Sequence, residues 1–218
     1  MKVVHVASGD LWGGAEAQLH TLCKYLNQSK GYIVEVIVLN DGELKYRLDE
    51  EGIATHLIDE ARLSTRAIVS QMRYSFNFLK PNIIHTHRQK ENVVASIANL
   101  TSVRCACLRT VHGASEFSYS WHELDHLVQN CADWLCGFFL QDKLIAVSKD
   151  LENEMRRSFP SRKLVTIENG VDFELLLNKP MESVFSSFEE ALHIGIVGRL
   201  VPVKRIDMFL RMAQRLLV

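Results

Sequence analysis

Gly195-Ile196-Val197-Gly198-Arg199-Leu200-Val201-Pro202-Val203-Lys204-Arg205 reads as an apolar strand opening into a loop with an Arg and a Lys. One amphipathic helical stretch later the sequence stops. A second nucleotide-binding domain begins in this way. The stretch therefore predicts a boundary upstream of it and a first domain that fills most of the 218 residues.

Upstream, short β-branched runs alternate with helical patterns. Strands are expected at Val3–Ala7, Tyr32–Leu39, Ile53–Ile58, Asn82–His87, Arg104–Val111, Lys143–Val147 and Leu164–Glu168. Between them Ala15, Leu19, Leu22, Cys23 and Leu26 share one helical face, and Ile68, Met72, Phe76 and Leu79 share another. Trp121, Leu124, Val128 and Leu135 mark a third, in a long central helix. Strands without polar alternation, separated by helices, imply a mostly parallel sheet covered on both faces. The expected architecture is α/β and Rossmann-like. Residues 1–172 form the first domain, 173–190 a linker, and 191–218 the opening strand and helix of a second, incomplete domain. Lys80-Pro81-Asn82 and Phe159-Pro160-Ser161 punctuate helix-to-strand steps, and Asn169-Gly170-Val171-Asp172 reads as a turn.

Composition narrows the function classes. The net charge of −1 carries no argument for nucleic acid, and no apolar run reaches membrane-spanning length. The longest, Trp134 to Leu140, is short and contains a Gly. The N-terminus reads as a buried strand without a signal-peptide cleavage site. Five cysteines on apolar stretches fit no Cys-x-x-Cys or secreted framework, so buried reduced thiols and a cytoplasmic location are expected.

Three groups of residues could carry chemistry. Between the first strand and first helix stands Ser8-Gly9-Asp10-Leu11-Trp12-Gly13-Gly14-Ala15-Glu16. Paired glycines let a backbone approach a ligand, and a helix N-terminus offers free N–H groups to a phosphate. A simple turn would use the same residues. His85 and His87, two apart on a strand, point to one face, and His112 ends the next strand. These fit hydrogen-bonding imidazoles in a cleft, or satisfied core histidines; their spacing matches no structural zinc pattern, so no metal is expected. Arg199 and Lys204 could close on one phosphate group, the Arg as a fork and the Lys as a point charge. Weaker candidates are Phe117, Tyr119 and Trp121, which could line an acceptor site, and Arg156, Arg157, Arg162 and Lys163, which could meet anionic lipid headgroups at a membrane surface.

Together the motifs resemble family 4 of the nucleotide-sugar glycosyltransferases, which have the two-domain glycosyltransferase-B fold. The residues that carry the resemblance are Gly13-Gly14-Ala15-Glu16, His85-Thr86-His87, Thr110-Val111-His112-Gly113, Ile145-Ala146-Val147-Ser148, Glu168-Asn169-Gly170-Val171-Asp172 and Val197 to Lys204, in the family's order. The resemblance implies an acceptor-binding first domain, a donor-binding second domain, and retention of anomeric configuration without metal or other cofactor. It implies that His112 contacts the donor sugar at the reacting centre, that Gly13, Gly14, Glu16 and His87 serve donor binding, and that Arg199 and Lys204 neutralise the leaving diphosphate. Partners would be a nucleotide-sugar donor and a glycan, lipid-linked or small-molecule acceptor, with no nucleic acid, in polysaccharide or lipopolysaccharide synthesis. Two departures stand out. Arg205 occupies a position where the family often has Gly, and the family's glutamate pair of the second domain is not reached, since Glu182 and Glu190 mimic its spacing in the wrong place. The 218 residues alone are thus expected to be inactive. A non-catalytic binding module is the alternative, and a nucleotide-sugar epimerase would want carboxylates in the cleft that the sequence does not place beside His112. Ile206, Phe209, Leu210, Ala213 and Leu217 lie at helical spacing and would need a partner, with oligomerisation one outcome.

Overall fold

The computed structural model describes residues 1–113, 124–173, 193–198 and 200–216. The chain divides into two compact units, Met1–Asp172 and Phe173–Val218. Among the described residues no helix is long and apolar enough to cross a membrane.

The first unit is built on seven parallel strands: β1 (Lys2–Ala7), β2 (Ile33–Val38), β3 (Ala54–Leu57), β4 (Ile83–Thr86), β5 (Ala106–Val111), β6 (Lys143–Ala146) and β7 (Leu164–Thr166). Their order across the sheet is β3-β2-β1-β4-β5-β6-β7. All six neighbouring pairs are parallel; His5, for example, sits opposite His85, and His85 opposite Leu108. The order reverses between β1 and β4. At such a switch point the loops leaving two adjacent strands run to opposite faces and open a crevice at the carboxyl ends.

Helices α1 (Gly14–Gln28) and α2 (Glu43–Glu50) cover one face over β1 to β3. Leu19, Cys23, Leu44 and Leu48 bury against Val34, Val36 and Val38 there. On the other face α3 (Thr65–Leu79) and α4 (Gln89–Leu100) pack Ile68, Met72, Phe76 and Val94 onto Val4, Val6, Ile37 and Ile84. Farther along, α5 (Leu124–Phe139) and α6 (Lys149–Met155) close over Val111, Leu144 and Ala146. Local chemistry sets the helix ends. Ser64 Oγ accepts from Ala67 N–H and Ser148 Oγ from Leu151 N–H, and α3 stops at Lys80, left-handed at φ 49°, just before Pro81.

The covering is uneven. Among the described residues no helix covers β4 to β7 on the face that carries α1, and a cavity of about 440 Å³ lies there, lined by Ile83, Leu108, Ile145 and Ile167 and edged by Leu22 and Tyr25 of α1. Leu22, expected on the buried face of its helix, is exposed for that reason.

Other expectations are corrected. In α5, Val128 and Leu135 are exposed at 70% and 48%, and the inward positions are Asp133, Cys136 and Gly137. A buried ion pair turns the helix this way. Trp121 lies outside the described residues. Cys131 is exposed and Cys105 half-buried, while Cys23, Cys107 and Cys136 are buried; all five are free thiols. Asn169–Asp172 forms no turn and is tied to α1 instead: Gln18 Nε2 donates to the Gly170 carbonyl at 2.7 Å and Lys24 Nζ lies 3.8 Å from Asp172. The basic cluster is dispersed. Lys163 donates to the carbonyls of Phe138 and Gln141 near the end of α5, and Arg156 pairs with Glu152.

In the second unit, 193–197 is not in a strand, and Ile194, Ile196 and Val197 are exposed. A strand exists through its ladder bonds, and no described strand pairs with this run. A short 3₁₀ turn, Pro202–Lys204, leads into α7 (Ile206–Leu216), on which Met208, Leu210, Met212 and Leu216 are exposed. Leu217 lies outside the described residues.

Two glycines fix the loop that reaches the crevice. Gly9 is left-handed at φ +76°, and a Cβ on Gly42 would stand 2.3 Å from the Gly9 carbonyl oxygen. Gly42→Ala is expected to lower stability by about 1–3 kcal/mol, the range for forced overpacking. Gly170→Ala, with nothing within 4 Å, should be near neutral. Urea denaturation of the two variants checks the contrast; equal midpoints would contradict it.

Candidate functional site

Three strand ends meet at the switch point. β1 runs out into Ser8–Gly13 and α1, β4 into His87 and Arg88, and β5 into His112. Gly13 is the N-cap of α1, extended at φ −146°, and neither it nor Gly14 has positive φ. The turn therefore does not demand glycine. A Cβ on Gly14 would meet nothing within 4 Å, so packing does not demand it either. Absence of a side chain at Gly14 leaves open space beside the first amides of α1, while a Glu16 carboxylate oxygen lies 3.2 Å from where a Cβ on Gly13 would stand.

Glu16, in the first turn of α1, is buried and ion-paired with Arg88, which also reaches Asp10 at 3.4 Å. This pairing ties the starts of α1 and α4 together across the crevice. Arg88 was not singled out from the sequence, because no local pattern announces a partner 72 residues away. Glu91 was missed likewise. Its carboxyl is 1% exposed beside Ser8, Glu16 and Arg88, and burial raises its pKa.

His85 and His87 line the 440 Å³ cavity, as does His112, and His5 of β1 joins them. His5 Nδ1 lies 3.2 Å from His87 Nε2, His87 Nδ1 lies 3.4 Å from His112 Nε2, and His85 Nε2 lies 2.8 Å from Thr110 Oγ1. Burial dominates their titration. His5 falls to about 4, and His112 to about 4 with further lowering from Arg88 and Arg109; His85 and His87 are held well below 6.5. All four are neutral at pH 7, ready to donate or accept hydrogen bonds but not to act as cations.

That depression has a sign. The unfolded chain takes up protons below pH 6.5 while His5 refuses them until about 4, so stability falls as pH drops through that window. Between pH 7 and pH 5, His5 should account for a loss of about 2 kcal/mol. Urea midpoints should show a correspondingly smaller loss in His5→Leu; an identical loss would contradict the shift.

Behind β5, Arg109 is fully buried, and its Nη1 donates to both carboxylate oxygens of Asp133 at 2.7 and 2.6 Å. Asn92 Nδ2 donates to Asp133 Oδ1 at 2.7 Å. The network fixes α4 and α5 against the strand that delivers His112.

Of the second-unit residues, Lys204 is exposed at the end of its 3₁₀ turn, and Arg199 lies outside the described residues. Arg205 is left-handed at φ 48°, the conformation that glycine adopts without penalty. Phe117, Tyr119, Glu182 and Glu190 also lie outside the described residues.

The family model of glycosyltransferase family 4 matches residues 12–175, well over half of the chain. The chain belongs to glycosyltransferase family 4. Its sheet is the Rossmann-like half of the glycosyltransferase-B fold. Anabaena HepE, crystallised with UDP, superposes with a TM-score of 0.64 at 20% identity, over 80% of this chain and 46% of that one. A glycosyltransferase from Rickettsia africae gives 0.64 at 19% identity, over 88% and 50%. A UDP-GlcNAc 2-epimerase from Neisseria meningitidis bound to UDP-GlcNAc gives 0.60 at 17% identity, over 78% and 46%. These likenesses are of fold, and this family 4 chain spans about half the length of each. No curated protein sequence matches it.

Proposed function

We propose that this family 4 chain is the acceptor-side part of a retaining glycosyltransferase that moves a sugar from a nucleoside-diphosphate donor to a hydroxyl acceptor. The observation that carries the reading is the bare start of α1 on the strand edge that also carries the neutral His112, at the switch point of the sheet. The free N–H groups at Gly14 and Ala15 would hold the donor diphosphate. His112, a dipole rather than a charge, would position and polarise the sugar. Arg199 and Lys204 would take up charge on the leaving diphosphate, so that fixed cations and a helix end supply what a metal would otherwise supply. Glu16 would act through Arg88, holding the helix start in place. The acceptor, a glycan, a lipid-linked or a small-molecule hydroxyl, would enter over the sheet edge, in the cytoplasm or at its membrane face.

A second reading, a nucleotide-sugar epimerase, draws on Glu91, a buried carboxyl of raised pKa next to the same crevice. Family membership favours transfer. Arg199→Ala and Lys204→Ala, in a chain carrying both halves of the fold, should each weaken nucleoside-diphosphate binding by about 1.5–3 kcal/mol, the loss of one charge-assisted contact. Calorimetry reads this directly, and unchanged affinity would overturn the assignment.

A further inference from the structure

Among the helices of the first unit α3 alone contains no Asp or Glu. From Ala61 to Asn82 the sequence has four cations, Arg62, Arg66, Arg73 and Lys80, and no acid, in a chain whose net charge is −1. Ile68, Met72, Phe76 and Leu79 turn inward onto the sheet, which puts Arg66, Arg73, Tyr74 and Phe78 on the outward side. Tyr74 and Phe78, one turn apart, are 75% and 74% exposed. Other surface arginines have an acid at hand: Arg47 pairs with Glu43, Arg62 with Asp59 and Arg156 with Glu152. Arg66, Arg73 and Lys80 make no ion pair among the described residues. Beside α3, α4 ends on exposed Ile97 and Leu100, and the exposed Arg104 donates from Nε to the Leu100 carbonyl at 3.0 Å. From Asn92 to Ser115 the sequence is again free of acids.

Unpaired cations beside bare aromatic rings call for an occupant that is anionic and apolar at once. A second copy of the chain does not qualify. A two-fold contact would set the arginines of α3 against the same arginines, with no acid on either helix. A folded partner gains most where its anchor side chains enter pockets, and the outward side of a helix is convex. The cavity and the crevice are built from other elements. An anionic lipid surface meets each feature. Phosphates accept from the guanidinium groups, the long cationic stems lie along the apolar boundary, and Tyr and Phe rings settle at headgroup level.

We propose that the outer face of α3, with the end of α4, is the surface through which the first unit rests on an anionic lipid bilayer. The inference rests on the transferase reading for its consequence alone, that transfer takes place at a membrane face. The basic residues around Pro160 are spent inside the fold, with Lys163 on the carbonyls near the end of α5 and Arg156 on Glu152. On α3 the cations are unspent. This helix packs on the sheet face opposite the one that carries α1 and the cavity, so contact there leaves both free for donor and acceptor.

Sedimentation of the 218-residue chain with vesicles of phosphatidylcholine, with and without one part in three of phosphatidylglycerol, tests this without a reaction. Binding should favour the anionic vesicles by at least about tenfold and fall as salt is raised. Arg66→Gln with Arg73→Gln should weaken it about 30-fold, since each cation at the surface is worth about fivefold. Arg66→Lys with Arg73→Lys keeps the charge and should hold the native binding. Tyr74→Ser with Phe78→Ser should also weaken binding, while leaving its salt dependence unchanged. All four positions are exposed, and circular dichroism melting verifies that each variant is folded. The proposal is overturned if the native chain ignores anionic vesicles, or if binding survives both the glutamine and the serine pairs, which would give the bilayer to another surface. A dimer in solution that the serine pair dissolves would overturn it too, and assign the face to a second copy. Because no turnover is read, failure here leaves the transferase reading standing. Vesicle binding of the expected pattern by a chain that transfers nothing would sustain the surface and count against that reading alone.

Discussion

Asp133→Ala is expected to destabilise the first unit by about 3–5 kcal/mol, the range for breaking a buried ion pair from one side. The reason lies in what remains. Arg109 is fully buried, and the substitution strips away the carboxylate to which its Nη1 donates twice. The cation stays inside because β5 is an interior strand, and Asn92 loses its carboxylate acceptor in the same step, keeping only the longer bond to the residue 133 carbonyl. For a domain whose whole stability is of order 5–15 kcal/mol, this is a large part of the margin. Replacing both partners together, as in Arg109→Met with Asp133→Leu, should recover much of the loss, since neither charge is left behind. Urea denaturation followed by circular dichroism distinguishes the cases. A single-variant loss under about 1 kcal/mol would show that the pair contributes little more than an exposed one.

The second large effect is on rate. In a chain carrying both halves of the fold, His112→Ala should lower turnover roughly 10²-fold or more, the scale for removing one preorganised contact to developing charge. Nucleoside-diphosphate affinity should change little, because the proposal gives the sugar to His112, just past the end of β5, and the diphosphate to the start of α1. With its pKa near 4, His112 imposes no inflection on the rate between about pH 5.5 and 8. Turnover near the native level, or a diphosphate affinity that falls in step with rate, would remove the residue from its assigned place.

The sequence readings that hold are those resting on short-range periodicity. β-Branched runs mark all seven strands of the first unit because helices bury both faces of β1 to β3 and the uncovered face of β4 to β7 is lined by apolar residues too. The alternation of His85 with His87 put both rings on one face because a strand has no other geometry. What periodicity cannot see is pairing between distant residues. Arg109 lies within a mostly apolar strand and Asp133 on a helix with apolar neighbours, so periodicity points to Val128 and Leu135, which lie on the exposed side of α5. Arg88 with Glu16 and Glu91 beside Ser8 are invisible for the same reason. The apolar run around Val197 has strand composition, but composition supplies no ladder partner. Gly13 and Gly14 read equally as a turn or as a ligand approach; their ordinary backbone angles show that the turn does not require glycine.

Phosphorus NMR of a nucleotide-sugar panel, incubated with candidate acceptors and a chain carrying both halves of the fold, tests the proposed transfer most directly. The account predicts that one donor loses its diphosphate ester signals while free nucleoside diphosphate appears, and that an acceptor gains the mass of one sugar in equal amount. Conversion of a donor into an isomeric nucleotide sugar, with the diphosphate link intact and no acceptor modified, would contradict it and assign the crevice to epimerisation.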